Sequence, residues 1–208
     1  MLQQRHSLKT SSLGVLMTCP VIYSCDIARI FTEALQQRLF FSKALQESIQ
    51  LALHESIVNG LIHGNLQLSS NLRQSARDFI EYARLLNERL NDPTYAQKSM
   101  SLMASWTEER LEIKIRDEGA GYTAVSTIKN TSQPAPQAKS GRGLRLIAGI
   151  SDSCTIDDFG REVTLSFLLK DRIEHLATPD LSEDEKYEID AHIDDPDLSL
   201  CRVLIMED

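Results

Sequence analysis

The sequence predicts an α+β two-layer sandwich: a mixed, mainly antiparallel sheet with helices on one face. Two observations lead there. The pattern runs strand–helix–helix–helix–strand–strand–loop–helix–strand–strand. Elements segregated in this way settle as helices on one side of a sheet rather than as alternating crossover units. The composition, 42% hydrophobic and 25% charged over 208 residues, is that of an ordinary globular chain long enough for one domain and an appendage.

Taken in order, residues 13–18 and 21–24 read as short strands split by Pro20. Asp26 stands where a helix cap belongs, and the helix after it runs to about Phe41. Ser42 starts a longer helix, on which Leu45, Ile49, Leu53, Ile57 and Leu61 recur every four residues. Residues 71–90 form a third helix, closed by Asn91-Asp-Pro. Residues 99–107 and 111–116 alternate as strands about a turn at Glu108-Glu-Arg. Between Gly121 and Gly141 no apolar period survives, and Pro134 and Pro136 mark a mobile loop. A short helix over 144–150 and strands over 153–158 and 162–169, turning at Gly160, complete the pattern.

Charge divides the chain. Residues 171–208 hold 13 acidic and 3 basic side chains, whereas residues 1–170 hold 17 and 19. Residues 171–200 therefore read as an acidic linker. Residues 201–208 read as a terminal strand, or as the first strand of a receiver domain ending in the acidic pair Glu207-Asp208. No basic stripe supports direct DNA binding. No apolar run approaches the roughly 20 residues of a membrane span, and no signal-peptide core follows Met1, so a cytoplasmic protein is expected. Cys19, Cys25, Cys154 and Cys201 lack metal-ligand spacing, which argues against zinc and against a disulfide framework.

Three segments carry chemistry. On the long helix Glu55, Asn59 and His63 are four apart, which stacks a carboxylate, a carboxamide and an imidazole along one flank. Such a trio can activate a hydroxyl and ligate a hard cation through oxygen, and a solvated polar face is the plain alternative. A strand ends at Asp117, with Gly119 and Gly121 behind it. The glycines let backbone approach a flat ligand, and the carboxylate can accept from an exocyclic amine. Ser140-Gly-Arg-Gly-Leu-Arg-Leu-Ile147 opens a helix, where backbone N–H groups cradle phosphate and Arg142 adds charge. It is neither a Walker loop nor a dinucleotide fingerprint.

In this order the three segments resemble the Bergerat-fold ATPases: gyrase, the 90-kDa heat-shock chaperones, mismatch-repair proteins and the catalytic domains of histidine kinases. Glu55-x-x-x-Asn59 is similar to the N box, Asp117-x-Gly-x-Gly121 to the first glycine box, and Gly141-x-Gly-Leu144 to the second. The four-residue steps Glu55, Asn59, His63 and the run Arg116-Asp-Glu-Gly-x-Gly121 most resemble the anti-sigma-factor serine kinases. The resemblance covers about residues 13–170. It implies an ATP and Mg2+ site, with Asn59 as metal ligand and Glu55 as general base. It makes Asp117, with Gly119 and Gly121, the adenine side, and Gly141, Arg142, Gly143 and Leu144 the phosphate loop. Residues 122–140 become the ATP lid. The implied partner is an antagonist-type protein or a sigma-factor-like regulator, with a homodimer as an option and no membrane.

Two positions depart from that pattern. Asn59 and Asp117 are 58 residues apart, which leaves about 68–98 as a helical insertion. Many relatives place Thr after the glycine at 160 to reach adenine through water. Arg161 stands here, and Thr164 alternates away. Three activities compete: a serine/threonine protein kinase, an ATP-sensing module without transfer, and a histidine-kinase catalytic domain acting on another chain. His54 is expected on the helix surface rather than as a phosphoacceptor, and His63 as a hydrogen-bonding helper.

Overall fold

In the computed structural model, which describes residues 11–69, 76–121 and 142–169, alternating apolar residues line up across five strands. These are β1 (Ser11–Thr18), β2 (Ser99–Trp106), β3 (Arg110–Asp117), β4 (Ser153–Asp157) and β5 (Glu162–Leu168), in the spatial order β1-β2-β3-β5-β4. Every neighbouring pair is antiparallel. The register sets Val15 beside Leu102, Leu102 beside Ile115, Ile115 beside Val163, and Val163 beside Ile156. Because strand side chains alternate with period 2, one face is a continuous apolar surface. The other carries Ser101, Glu112, Lys114, Arg116 and Thr164 in paired register.

The helices cover the apolar face. They are α1 (Cys19–Ser24), α2 (Ile27–Gln36), α3 (Lys43–Asn59), α4 (Ala76–Asn91), α5 (Pro93–Ala96) and α6 (Arg142–Ile150). The predicted stripe holds: Ile49, Leu53, Ile57 and Leu61 are buried in one core with Leu35, Leu102, Ile113 and Leu165. Each such fully buried aliphatic side chain contributes about 1.5–3 kcal/mol of transfer free energy. Both helix starts follow the sequence. Asp26 accepts from Arg29 N (3.2 Å) and Ser42 from Leu45 N (3.2 Å).

Local readings change in several places. Residues 21–24 are helical, not a strand. Pro20 sits in the first turn of α1, where its missing N–H is not needed, and burial of Cys19 and Ile22 overrides the β-branched pair Val21-Ile22. α2 stops at Gln36 rather than near Phe41: Arg38 N donates to Leu35 O (3.0 Å), an i→i−3 bond that tightens the last turn, and the chain leaves it with Leu39 buried and Phe40 exposed. The third helix begins within the described residues at Ala76; 71–75 lie outside them. Asn91-Asp-Pro does not only stop a helix, since the Asp92 carboxylate accepts from Thr94 N (2.9 Å) and opens α5. Cys19 and Cys154 are buried and free as expected, but Cys25 is disulfide-bonded, its partner lying outside the described residues.

Between the expected insertion limits, α4 docks through Tyr82, Leu85, Leu86 and Leu90 against the common core. Arg89 donates to Leu66 O and lies over the Tyr95 ring, 4.7 Å from its centroid.

Candidate functional site

Past Asn59 the long helix widens into a π-helix, Gly60–Asn65. The four-residue step that stacks Glu55 and Asn59 is not kept beyond that point, since a π-turn bonds i to i+5. His63 is exposed, and its Nδ1 donates to Leu68 O at 2.7 Å. It fastens the segment leaving the helix, the helper role expected of it. His54 is exposed on α3, also as expected.

Glu55 and Asn59 are half-buried and both reach toward the start of α6. A Cβ added to Gly143 would stand 2.9 Å from Glu55 Oε2 and 3.2 Å from Asn59 Nδ2. With glycine there, the first turn of α6 comes this close without displacing either side chain. Leu144 follows, half-buried and packed on the core. Gly141 lies outside the described residues. Arg142 is described only through its backbone, as the first residue of α6. The N-terminus of a helix, with its unsatisfied N–H groups, thus faces a carboxylate and a carboxamide.

At the other end Asp117 closes β3. Its N–H donates to Arg161 O (3.0 Å), and its Oδ1 accepts from Gly119 N (2.7 Å). The carboxylate is buried at 9% exposure, against Gly60 and Gly64 of the π-helix. Burial pushes its pKa above the ordinary carboxylate value. The Gly119 N–H, Arg161 and Lys98 oppose that shift, and Asp158 adds to it. A Cβ on Gly119 would meet the Gly64 backbone at 2.5 Å. Gly121 takes φ 73 beside the Phe159 carbonyl, a left-handed conformation that glycine adopts without strain.

The structure therefore joins the three sequence segments in one line: Gly143 against Glu55 and Asn59, Gly60 next in the chain, then Asp117 and Gly119. A buried carboxylate with a nearly closed glycine turn can take an amine-bearing flat ring. A helix start beside a carboxylate and a carboxamide can take phosphate with a hard cation.

Arg161, the residue in the place of the expected Thr, turns its guanidinium onto Asp158 (Nη2–Oδ1, 2.7 Å), and Arg116 pairs with the other Asp158 oxygen at 2.8 Å. These pairs hold the β4–β5 turn, in which Asp158, Phe159 and Gly160 all have positive φ. Thr164 pairs in register with Lys114 and Thr155 on the outer sheet face, so it does point away from the site.

Sequence reasoning missed Asn65, Gly60 and Gly64. The signal was present for Asn65. It falls on the next four-residue step of the stripe after Leu61, and a carboxamide in an apolar series marks a buried polar group that needs partners.

A comparison with curated proteins gave no match. A family model, described as a histidine kinase-like ATPase domain, matches residues 24–167. That span runs from the end of α1 to the end of β5 and includes every element of the site. The fold and the ATP-binding character agree with it, and the chain belongs to the histidine kinase-like ATPase domain family.

Proposed function

We propose that this member of the family is a serine/threonine protein kinase domain of the anti-sigma type, transferring the γ-phosphoryl group of ATP to a hydroxyl of a small antagonist protein. In this reading the Asp117 carboxylate accepts from the exocyclic amine of adenine, and the start of α6 cradles the phosphates with Gly141, Arg142, Gly143 and Leu144. Glu55 takes the proton of the attacking hydroxyl. One observation carries the reading: Gly143 brings the phosphate-binding helix start against Glu55 and Asn59 together, so a base and a cation ligand flank the reacting end.

The donor set fits magnesium. Asn59 offers a carboxamide oxygen, and a small hard cation binds through oxygen with much of its shell left to phosphate and water. Among the described residues no group of three His, Cys, Asp or Glu side chains could hold a metal by itself, so the ion is proposed to bind together with the triphosphate. When bound, magnesium neutralises phosphate charge.

The same proposal includes the lid at 122–140, the insertion at about 68–98, the acidic linker at 171–200, and a cytoplasmic setting for the chain. Among the described residues no helix is long and apolar enough to cross a membrane.

Incubating the protein with radiolabelled ATP and candidate antagonist proteins tests the reading. Label that survives acid and is lost in alkali marks a phosphoserine or phosphothreonine and supports it. Acid-labile, alkali-stable label on a partner would show a histidine-kinase activity instead. ATP binding with no label on any protein would favour the sensing module.

A further inference from the structure

Asn65, fully buried at the end of the π-helix, closes a ring of three hydrogen bonds. Its Nδ2 donates to Ser99 O (3.0 Å), Ser99 N donates to Glu118 Oε2 (2.8 Å), and Glu118 N donates back to Asn65 Oδ1 (2.8 Å). Lys98 Nζ adds a bond to the Asn65 carbonyl (3.3 Å). The ring ties three elements: the helix that carries Glu55 and Asn59, the first residue of β2, and the turn directly after Asp117. Glu118 shares a peptide bond with Asp117, and the next residue, Gly119, donates to the Asp117 carboxylate. The ring therefore connects Asn65 to the backbone that carries and caps that carboxylate.

We infer that Asn65 is a positioning residue for base selectivity: through Glu118 it fixes the Asp117 carboxylate where it accepts from an exocyclic amine. The inference rests on the proposed adenine contact of Asp117. Asn65 itself touches no base. The carboxamide is suited to the task because it donates and accepts at once, with both bonds made to backbone groups. Asn65 itself is fully buried and both its bonds are part-buried, so losing the carboxamide leaves the Ser99 carbonyl and the Glu118 N–H without their protein partner, whereas the Ser99–Glu118 bond lies at the surface.

The test compares binding of Mg-ATP and Mg-inosine triphosphate by calorimetry. The two nucleotides share ribose and phosphates, but inosine carries an oxygen where adenine carries the amine. Wild type is expected to prefer ATP. Asn65→Leu should lower ATP affinity roughly tenfold, the scale of one lost buried hydrogen bond, and leave inosine triphosphate nearly unchanged. Glu118→Ala removes an exposed side chain, opens the ring at Ser99 and leaves the core intact, so it answers the question even where Asn65→Leu does not fold. It should narrow the ratio in the same direction, by about threefold.

A purely structural role would weaken both nucleotides alike and leave their ratio unchanged; that result in both variants, or in Glu118→Ala where only it folds, overturns the inference. Asp117→Asn is the control for the underlying reading. If it collapses the ratio while the ring variants do not, Asn65 is structural only and the adenine contact stands. If Asp117→Asn leaves the ratio untouched, the adenine contact itself is overturned, and the role of Asn65 with it.

Discussion

Gly143 lies so close to Glu55 that a Cβ at this position would stand 2.9 Å from Glu55 Oε2. The atom it would meet is the tip of a half-buried side chain, which can move aside, so Gly143→Ala should fold normally. The displaced carboxylate would no longer flank the helix start proposed to bind phosphate. We expect an unchanged melting temperature and a turnover lower by roughly tenfold or more, at the low end of what loss of a positioned base costs. Thermal melting and a phosphate-release assay on the same preparation check both halves.

Gly119→Ala should behave in the opposite way. Its Cβ would meet the backbone of Gly64, not a side-chain tip, and backbone inside a packed π-helix cannot give cheaply. Overpacking of this kind costs about 1–3 kcal/mol. Urea denaturation should show that loss, accompanied by weaker adenine-nucleotide binding.

Asp117 gives a pH signature. Its folded-state pKa is raised, chiefly by burial, so in the window between the ordinary and the raised value the folded protein holds a proton that the unfolded chain has already released. Stability from this group is therefore highest at low pH. It declines as pH rises from about 3.9, the ordinary Asp value, through the raised folded value, and is flat above it. Asp117→Asn cannot ionise and keeps an oxygen for Gly119 N. Subtracting the two stability-versus-pH curves should show the variant gaining on wild type across that window and holding the gain at neutral pH. A gain that grows with acidity would contradict the assignment.

The acidic residues beyond 170 are expected to take no part in nucleotide binding, because a dense run of carboxylates repels a triphosphate at close range. Removing residues 171–208 should leave ATP affinity within a few-fold, measured by calorimetry. Loss of binding in a still-folded truncation would contradict this.

Much of the fold was legible because burial imposes periods on the sequence. The Leu45-to-Leu61 stripe and the alternation of β2 and β3 each predict an element that the structure shows. At Val21-Ile22 and at Leu39 tertiary burial overrides local propensity, and the Cys25 disulfide is invisible to any local pattern. At the site, Glu55, Asn59, Asp117 and Gly143 were visible as motif residues. The π-helix was not, since neither propensity nor periodicity signals a one-residue widening. With it went the reason for Gly60 and Gly64, whose small size matters only once Asp117 is seen packed against them. Asn65 was legible in principle, as the polar interruption of an apolar stripe.

The central claim is that one helix flank divides its labour between two residues a turn apart, and calorimetric titration of Mg-ATP into Asn59→Ala and Glu55→Ala tests it most directly. Both side chains are half-buried on α3 and alanine favours helix, so neither change should unfold the protein. Asn59→Ala should weaken Mg-ATP binding itself, because a cation ligand acts first on affinity. Glu55→Ala should bind Mg-ATP nearly as wild type does, while its turnover falls by about 10²–10⁴-fold. Loss of binding in Glu55→Ala with full binding in Asn59→Ala would contradict the assignment of roles, and unchanged binding and turnover in both would contradict a nucleotide site on this helix.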